Sequence, residues 1–145
     1  MEETCMYCAQ DERLHKLMVP VCSLTHTNVY LYREVTFPGR CVVVLKNHIQ
    51  KLTQLSPAER QGVWDNVGLV AETVTALYSP DKLNYLILGD CCPHLHVHVV
   101  PKYTGTPQWG KMFEMMPQPP RFLPDEPAYR AEADRLREAL LAGQK

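Results

Sequence analysis

The chain has 145 residues, 46% of them hydrophobic and 21% charged, with a formal net charge of -1. This length and balance suit one soluble globular domain, residues 1–145, and give no sign of disorder; no apolar run approaches the roughly 20 residues of a membrane span. A near-neutral chain without a Lys/Arg block is no partner for long nucleic acid, although a small anionic ligand held at a local site stays open.

The chain opens MEETC, without the basic and apolar stretches of a secretory leader. Its six cysteines form one C-x-x-C, one adjacent pair and two isolated residues, a pattern suited to a reducing compartment, so the cytoplasm is the expected location. After CMYC, Cys5 to Cys8, the charged stretch Asp11 to Lys16 predicts a short helix. NVYLYRE from Asn28 and RCVVVLK after Pro38-Gly39 predict an antiparallel hairpin, being rich in β-branched and aromatic residues. SPAE then offers Ser56 as N-cap, Pro57 at the first helical position and Glu59 to complete a capping box. Val63, Val67, Val70, Val74 and Leu77 recur at helical spacing, which predicts a helix covering a sheet.

KLNYLILG and HLHVHVVP predict a second hairpin, with a short turn from Asp90 to Pro93. Residues 110–127 are proline-rich and predict an irregular excursion. Residues 128–142 predict a C-terminal helix with Tyr129, Ala133, Leu136 and Leu140 on one side. The expected fold class is α+β: an antiparallel sheet with a long central helix and a C-terminal helix packed on one face.

Alternate side chains of a strand share a face, so His94, His96 and His98 converge while Leu95, Val97 and Val99 point into the core. Three readings follow. The histidines form a polar outer face, bind a metal such as zinc, or act on a phosphate, with one imidazole as nucleophile and its neighbours as donors. Cys5 and Cys8 have the spacing of a zinc half-site, for which His48 and His94 are the candidate partners; the alternative is two reduced thiols on a mobile N-terminus.

HLHVHVVP resembles the His-φ-His-φ-His-φ-φ signature of the histidine triad (HIT) family, where φ is apolar. NYLILGDCCPHLHVHVVPKY is similar to that family's penultimate hairpin, FPGRCVVVLKNH to the strand leading to its helix, and the capped helix lies where the family has one. The likeness covers about residues 28–110, and CMYC is similar to the N-terminus of a zinc-bearing, bacterial-type subset.

The resemblance implies a homodimer whose two sheets join, and an enzyme cleaving nucleoside 5′-phosphoric compounds, phosphoramidates or dinucleoside polyphosphates, at the α-phosphorus. His96 corresponds to the family's nucleophile and would form a nucleotidyl-histidine that water hydrolyses, with no metal needed for the chemical step. His98 would hydrogen-bond phosphate oxygens or the departing group and supply its proton. In the resembling subset an N-terminal Cys pair joins two histidines, which implies a structural Zn²⁺ on Cys5, Cys8, His48 and His94, with residues 1–16 as the metal-knuckle segment.

Asn84 lies near a position where relatives carry an amide for ribose or phosphate, and Gly89 begins a tight turn whose amides could cradle a phosphate oxygen or simply end a strand. Trp109 matches an aromatic near the leaving group, or packs within the proline-rich excursion. Tyr32 stands where several relatives place Asn or Asp against ribose, so that contact is not carried over. Arg40, where some relatives have histidine, is either a cation for the phosphates or a surface arginine. Cys91 and Cys92 read as small buried residues rather than nucleophiles, and His15 and His26 as surface or turn histidines. Besides the nucleotidyl hydrolase or transferase, two alternatives remain: a metalloenzyme whose triad itself binds zinc, and a non-catalytic nucleotide-binding protein.

Overall fold

In the computed structural model, which describes residues 4–144, the capping box at SPAE starts the longest helix. Ser56 accepts from the Glu59 amide and the Glu59 carboxylate accepts from the Ser56 amide, so α3 runs Pro57–Tyr78. Before it come α1 (Met6–Ala9) and α2 (Glu12–Leu17), the latter capped by Asp11. The strands are β1 (Met18–Ser23), β2 (Thr27–Tyr32), β3 (Cys41–Leu45), β4 (Lys82–Leu86) and β5 (His96–Lys102); α4 (Glu126–Gly143) closes the chain. They form one antiparallel sheet in the order β1-β2-β3-β5-β4, an α+β fold as expected.

Both expected hairpins are present, β2 with β3 and β4 with β5. Three boundaries differ from the sequence reading. β4 ends at Leu86 and β5 starts at His96, so a long loop replaces the short turn at Asp90 to Pro93. The reason is a change of partner: Leu95 donates to the Ile49 carbonyl at 2.6 Å and accepts from Leu45, so the chain before His96 follows the end of β3 rather than β4. The C-terminal helix begins at Glu126 because Asp125 caps it through the Ala128 amide, which ends the excursion there instead of at residue 127. β1 has no counterpart in the sequence reading; it is an edge strand with Pro20 and a register irregularity between Pro20 and Cys22.

The helices α3 and α4 cover one face of the sheet. Val67, Val70 and Val74 of α3 and Tyr129, Ala133, Leu136 and Leu140 of α4 pack on Val43, Val97 and Val99. Buried Asn66 ties α3 to β2, accepting from Thr27 Oγ1 at 3.0 Å. The opposite face is covered too, which the sequence reading did not foresee. There Cys5, Tyr7 and Leu14 of the N-terminal segment pack on Tyr30, Tyr32, Val42 and Val44. The register sets His96 opposite Val44 and His98 opposite Val42, so both histidines lie on this second face.

Candidate active site

A neutral imidazole has one N–H and one lone pair, and its neighbours decide which nitrogen carries which. His94, 2% exposed, has Nε2 at 2.8 Å from the Leu45 carbonyl. A carbonyl only accepts, so Nε2 carries the hydrogen and the Nδ1 lone pair is free. That Nδ1 lies 3.4 Å from Cys5 Sγ and 3.5 Å from Cys8 Sγ, while His48 Nδ1 is 3.3 Å from Cys8 Sγ. The four ligand atoms of Cys5, Cys8, His48 and His94 lie within 4.8 Å of one another.

A tetrahedral ion with Zn–S near 2.3 Å and Zn–N near 2.0 Å gives S···N edges of about 3.5 Å. The observed spacings fit, and the Leu45 carbonyl supplies the outer partner that orients a metal-binding histidine. Two sulfur and two imidazole donors suit a zinc-type ion.

His96 is directed elsewhere. Its Nδ1 lies 2.5 Å from the His94 main-chain carbonyl, which places the hydrogen on Nδ1 and leaves Nε2 as a lone pair. Burial pushes its pKa below the usual value, keeping the ring neutral at pH 7. His98 has the opposite tautomer. Arg40 Nη2 is 3.3 Å from His98 Nδ1, and a guanidinium only donates, so Nδ1 accepts and Nε2 carries the hydrogen. Burial first, and the Arg40 charge second, push the His98 pKa down to about 3. Two neutral rings with centroids 5.3 Å apart thus present one lone pair and one donor.

Arg40 is not at the surface. It is 0% exposed, donates through Nη1 to the Met115 carbonyl at 2.9 Å, and lies 3.8 Å over the Tyr32 ring. Its Nε has no partner, and it forms no ion pair among the described residues. Tyr32 therefore supports Arg40 and meets the edge of His98 at 6.1 Å.

A cleft of about 320 Å³ opens on His96 and His98, bounded by Tyr7, Tyr32, Met115 and the segment Leu88 to Cys92. Gly89 in that segment has φ +131, a conformation L side chains rarely adopt.

A family model described as HIT domain matches residues 21–105. The chain belongs to the HIT domain family. It is 27% identical over 70 residues to bis(5′-nucleosyl)-tetraphosphatase [asymmetrical] of Schizosaccharomyces pombe; the match covers 45% of this chain and only 38% of that protein. A histidine triad (HIT) protein of Sinorhizobium meliloti superposes with TM-score 0.78 at 25% identity, covering 89% of this chain and 94% of that one. A zinc-bound histidine triad family protein from Mycobacterium smegmatis gives 0.67 at 23%, covering 98% and 96%, a likeness of fold.

In this HIT domain the structure gathers the sequence-predicted residues into three places. Cys5, Cys8, His48 and His94 form the metal-capable cluster, and among the described residues neither His96 nor His98 joins such a cluster. His96, His98 and Gly89 border the cleft. Asn84 and Trp109 line a neighbouring cavity instead. His15 is exposed, His26 sits in the turn before β2, held by Asn66, and Cys91 is exposed rather than buried, while Cys92 is half-buried against Cys5.

Sequence reasoning missed two residues of the site. Tyr7 lies 5.1 Å from the His96 ring and 5.4 Å from His94. The signal was available, because any site joining Cys5 and Cys8 to His94 carries the two residues between those cysteines, Met6 and Tyr7, toward the triad. Met115 gave no signal; it reaches Arg40 from 75 positions along the chain.

Proposed function

We propose that the protein cleaves nucleoside 5′-phosphoric compounds at the α-phosphorus through a nucleotidyl intermediate on His96. The observation that carries this reading is the complementary pair of neutral tautomers at His96 and His98. Nε2 of His96 attacks phosphorus, an N–P bond forms, and the bond to the leaving group breaks with its electron pair departing on that group. The ring becomes cationic, and its Nδ1–H remains bonded to the His94 carbonyl, which favours that charge. Water then displaces His96 as a neutral imidazole and releases the nucleoside monophosphate. Nε2–H of His98 donates a hydrogen bond to a phosphate or leaving-group oxygen. The main-chain amides near Gly89 receive another phosphate oxygen.

The tetraphosphatase of S. pombe supports a nucleotide substrate. Zinc on Cys5, Cys8, His48 and His94 would tie the N-terminal segment to the sheet, a structural role in line with the ligand spacing and the zinc-bound relative. The open β4 edge, with Tyr85 exposed, is in keeping with a homodimer, and the cytoplasm remains the proposed compartment.

The test is monophosphate release from a dinucleoside tetraphosphate and an adenosine 5′-phosphoramidate. Wild type is expected to turn over without added divalent metal, and His96→Ala to fall by about a thousandfold or more. Nucleotide binding without turnover by wild type, or loss of zinc in His96→Ala, overturns the reading in favour of a binding protein or a triad-bound metal respectively.

A further inference from the structure

The face of the sheet that carries His96 and His98 continues toward the β4 edge. Leu86 lies opposite His98, Asn84 opposite Val100 and Lys82 opposite Lys102. Side chains two apart share a face, so Asn84, Lys82 and Lys102 extend the triad face outward. Four residues of strand place Lys102 about 13 Å from His98.

There a cavity of about 460 Å³ is bordered by Lys82, Lys102 and Lys111, with Asn84 and Trp109 beside them and no carboxylate in its wall. None of the three lysines forms an ion pair among the described residues. Lys82 and Lys102 are directly opposed across the strands, an arrangement of like charges that costs stability. Lys102 is 4% exposed, and its ammonium has one hydrogen bond, to the Lys111 carbonyl at 2.5 Å. An ammonium has three N–H groups, so two are left for a ligand. A buried cation that borders one cavity with two exposed lysines, and has no ion-pair partner among the described residues, is a site for a multiply charged anion.

The site chemistry points to the same class of ligand. His98 has its single hydrogen on Nε2 and Arg40 on its other side. Passing that hydrogen on completely would leave an imidazolate, so His98 donates a hydrogen bond but not a proton. A departing amine needs a proton; a departing phosphate leaves as an anion. We infer that the lysine cavity is an anion site for condensed phosphate, and that it holds the phosphate tail of the leaving group while the α-phosphorus sits at His96. The inference rests on the proposed reaction for the second part only; the anion site stands on the cavity itself.

The experiment titrates inorganic tripolyphosphate into the intact wild-type protein and into the doubly substituted Lys82→Ala, Lys111→Ala protein, both changes lying at exposed residues. It also compares kcat/KM for dinucleoside tetraphosphate with that for adenosine 5′-phosphoramidate. Tripolyphosphate binding should weaken at least tenfold in the double variant, and the tetraphosphate-to-phosphoramidate ratio should fall at least tenfold. Unchanged tripolyphosphate affinity overturns the anion site. Lysine-dependent binding with an unchanged ratio overturns the leaving-group assignment. If neither compound is turned over but tripolyphosphate binding still depends on the lysines, the anion site holds and it is the His96 reaction that fails.

Discussion

Replacing Arg40 with methionine isolates what a buried guanidinium does to a neighbouring imidazole. Methionine keeps an apolar stem against Tyr32 and Phe113, both of which lie under the guanidinium, but removes the charge and the donor to His98. His98 is held down to about 3 by burial first and by Arg40 second, so burial persists in the variant and only the charge is relieved. Because burial is the larger cause, relieving the charge returns less than half of the depression, which places His98 in Arg40→Met between about 4 and 5.

The sign for stability follows from proton binding. The unfolded histidine takes a proton below about 6.5 while the folded one refuses it, so stability is full above that pH and falls as the solution is acidified. Each unit costs about 1.4 kcal/mol, and the His98 contribution to the drop in wild type comes to about 5 kcal/mol by pH 3. The stability curves of the two proteins should run parallel from pH 6.5 downward and part below the variant's own folded value, wild type continuing to lose stability. Nitrogen-15 imidazole NMR reads pKa and tautomer together, and urea melts from pH 3 to 7 read the linkage. An unchanged His98 pKa in a folded Arg40→Met protein, with the hydrogen still fixed on Nε2, would refute the assignment of Arg40 as its tautomer clamp.

Metal analysis by mass spectrometry separates the two halves of the triad: wild type should contain zinc, Cys8→Ser should lose it, and His96→Ala should retain it. Leu136 is wholly buried under the sheet, so Leu136→Ala should cost about 2–5 kcal/mol in urea unfolding with an unchanged m-value. Gly39 has φ +83, and a Cβ there would run into the Tyr78 ring, so Gly39→Ala should lower the melting temperature measurably, whereas Gly105→Ala, with open space around it, should cost less.

The parts of the fold that were legible carry their information locally. The Ser56 and Glu59 capping box, the valine stripe of α3 and the Leu136 and Leu140 face of α4 are periodic patterns within one element. The triad was legible because a strand's two-residue period brings its side chains together without help from elsewhere. What failed depends on distant partners. β1 contains Pro20 and an irregular register, so it lacks a strand's alternation. The early end of β4 goes with the hydrogen bonds of Leu95, which accepts from Leu45 and donates to Ile49, both far away in sequence. Arg40 stayed open between a cation for the phosphates and a surface arginine because Phe113 and Met115, which enclose it, lie in a segment with no periodicity. The opposed lysines, by contrast, follow from the hairpin once its register is counted: Lys82 against Lys102 lies four residues beyond Leu86 against His98.

The central claim is covalent chemistry at His96, and intact-protein mass after rapid quenching addresses it most directly. The quench must avoid acid, because a phosphorus–nitrogen bond is acid-labile. With a dinucleoside tetraphosphate, wild type should gain the mass of one nucleotidyl group and His96→Ala none, while zinc content is equal in both. An adduct of the same mass on His96→Ala, or turnover by wild type with no adduct at any quench time, would contradict the account.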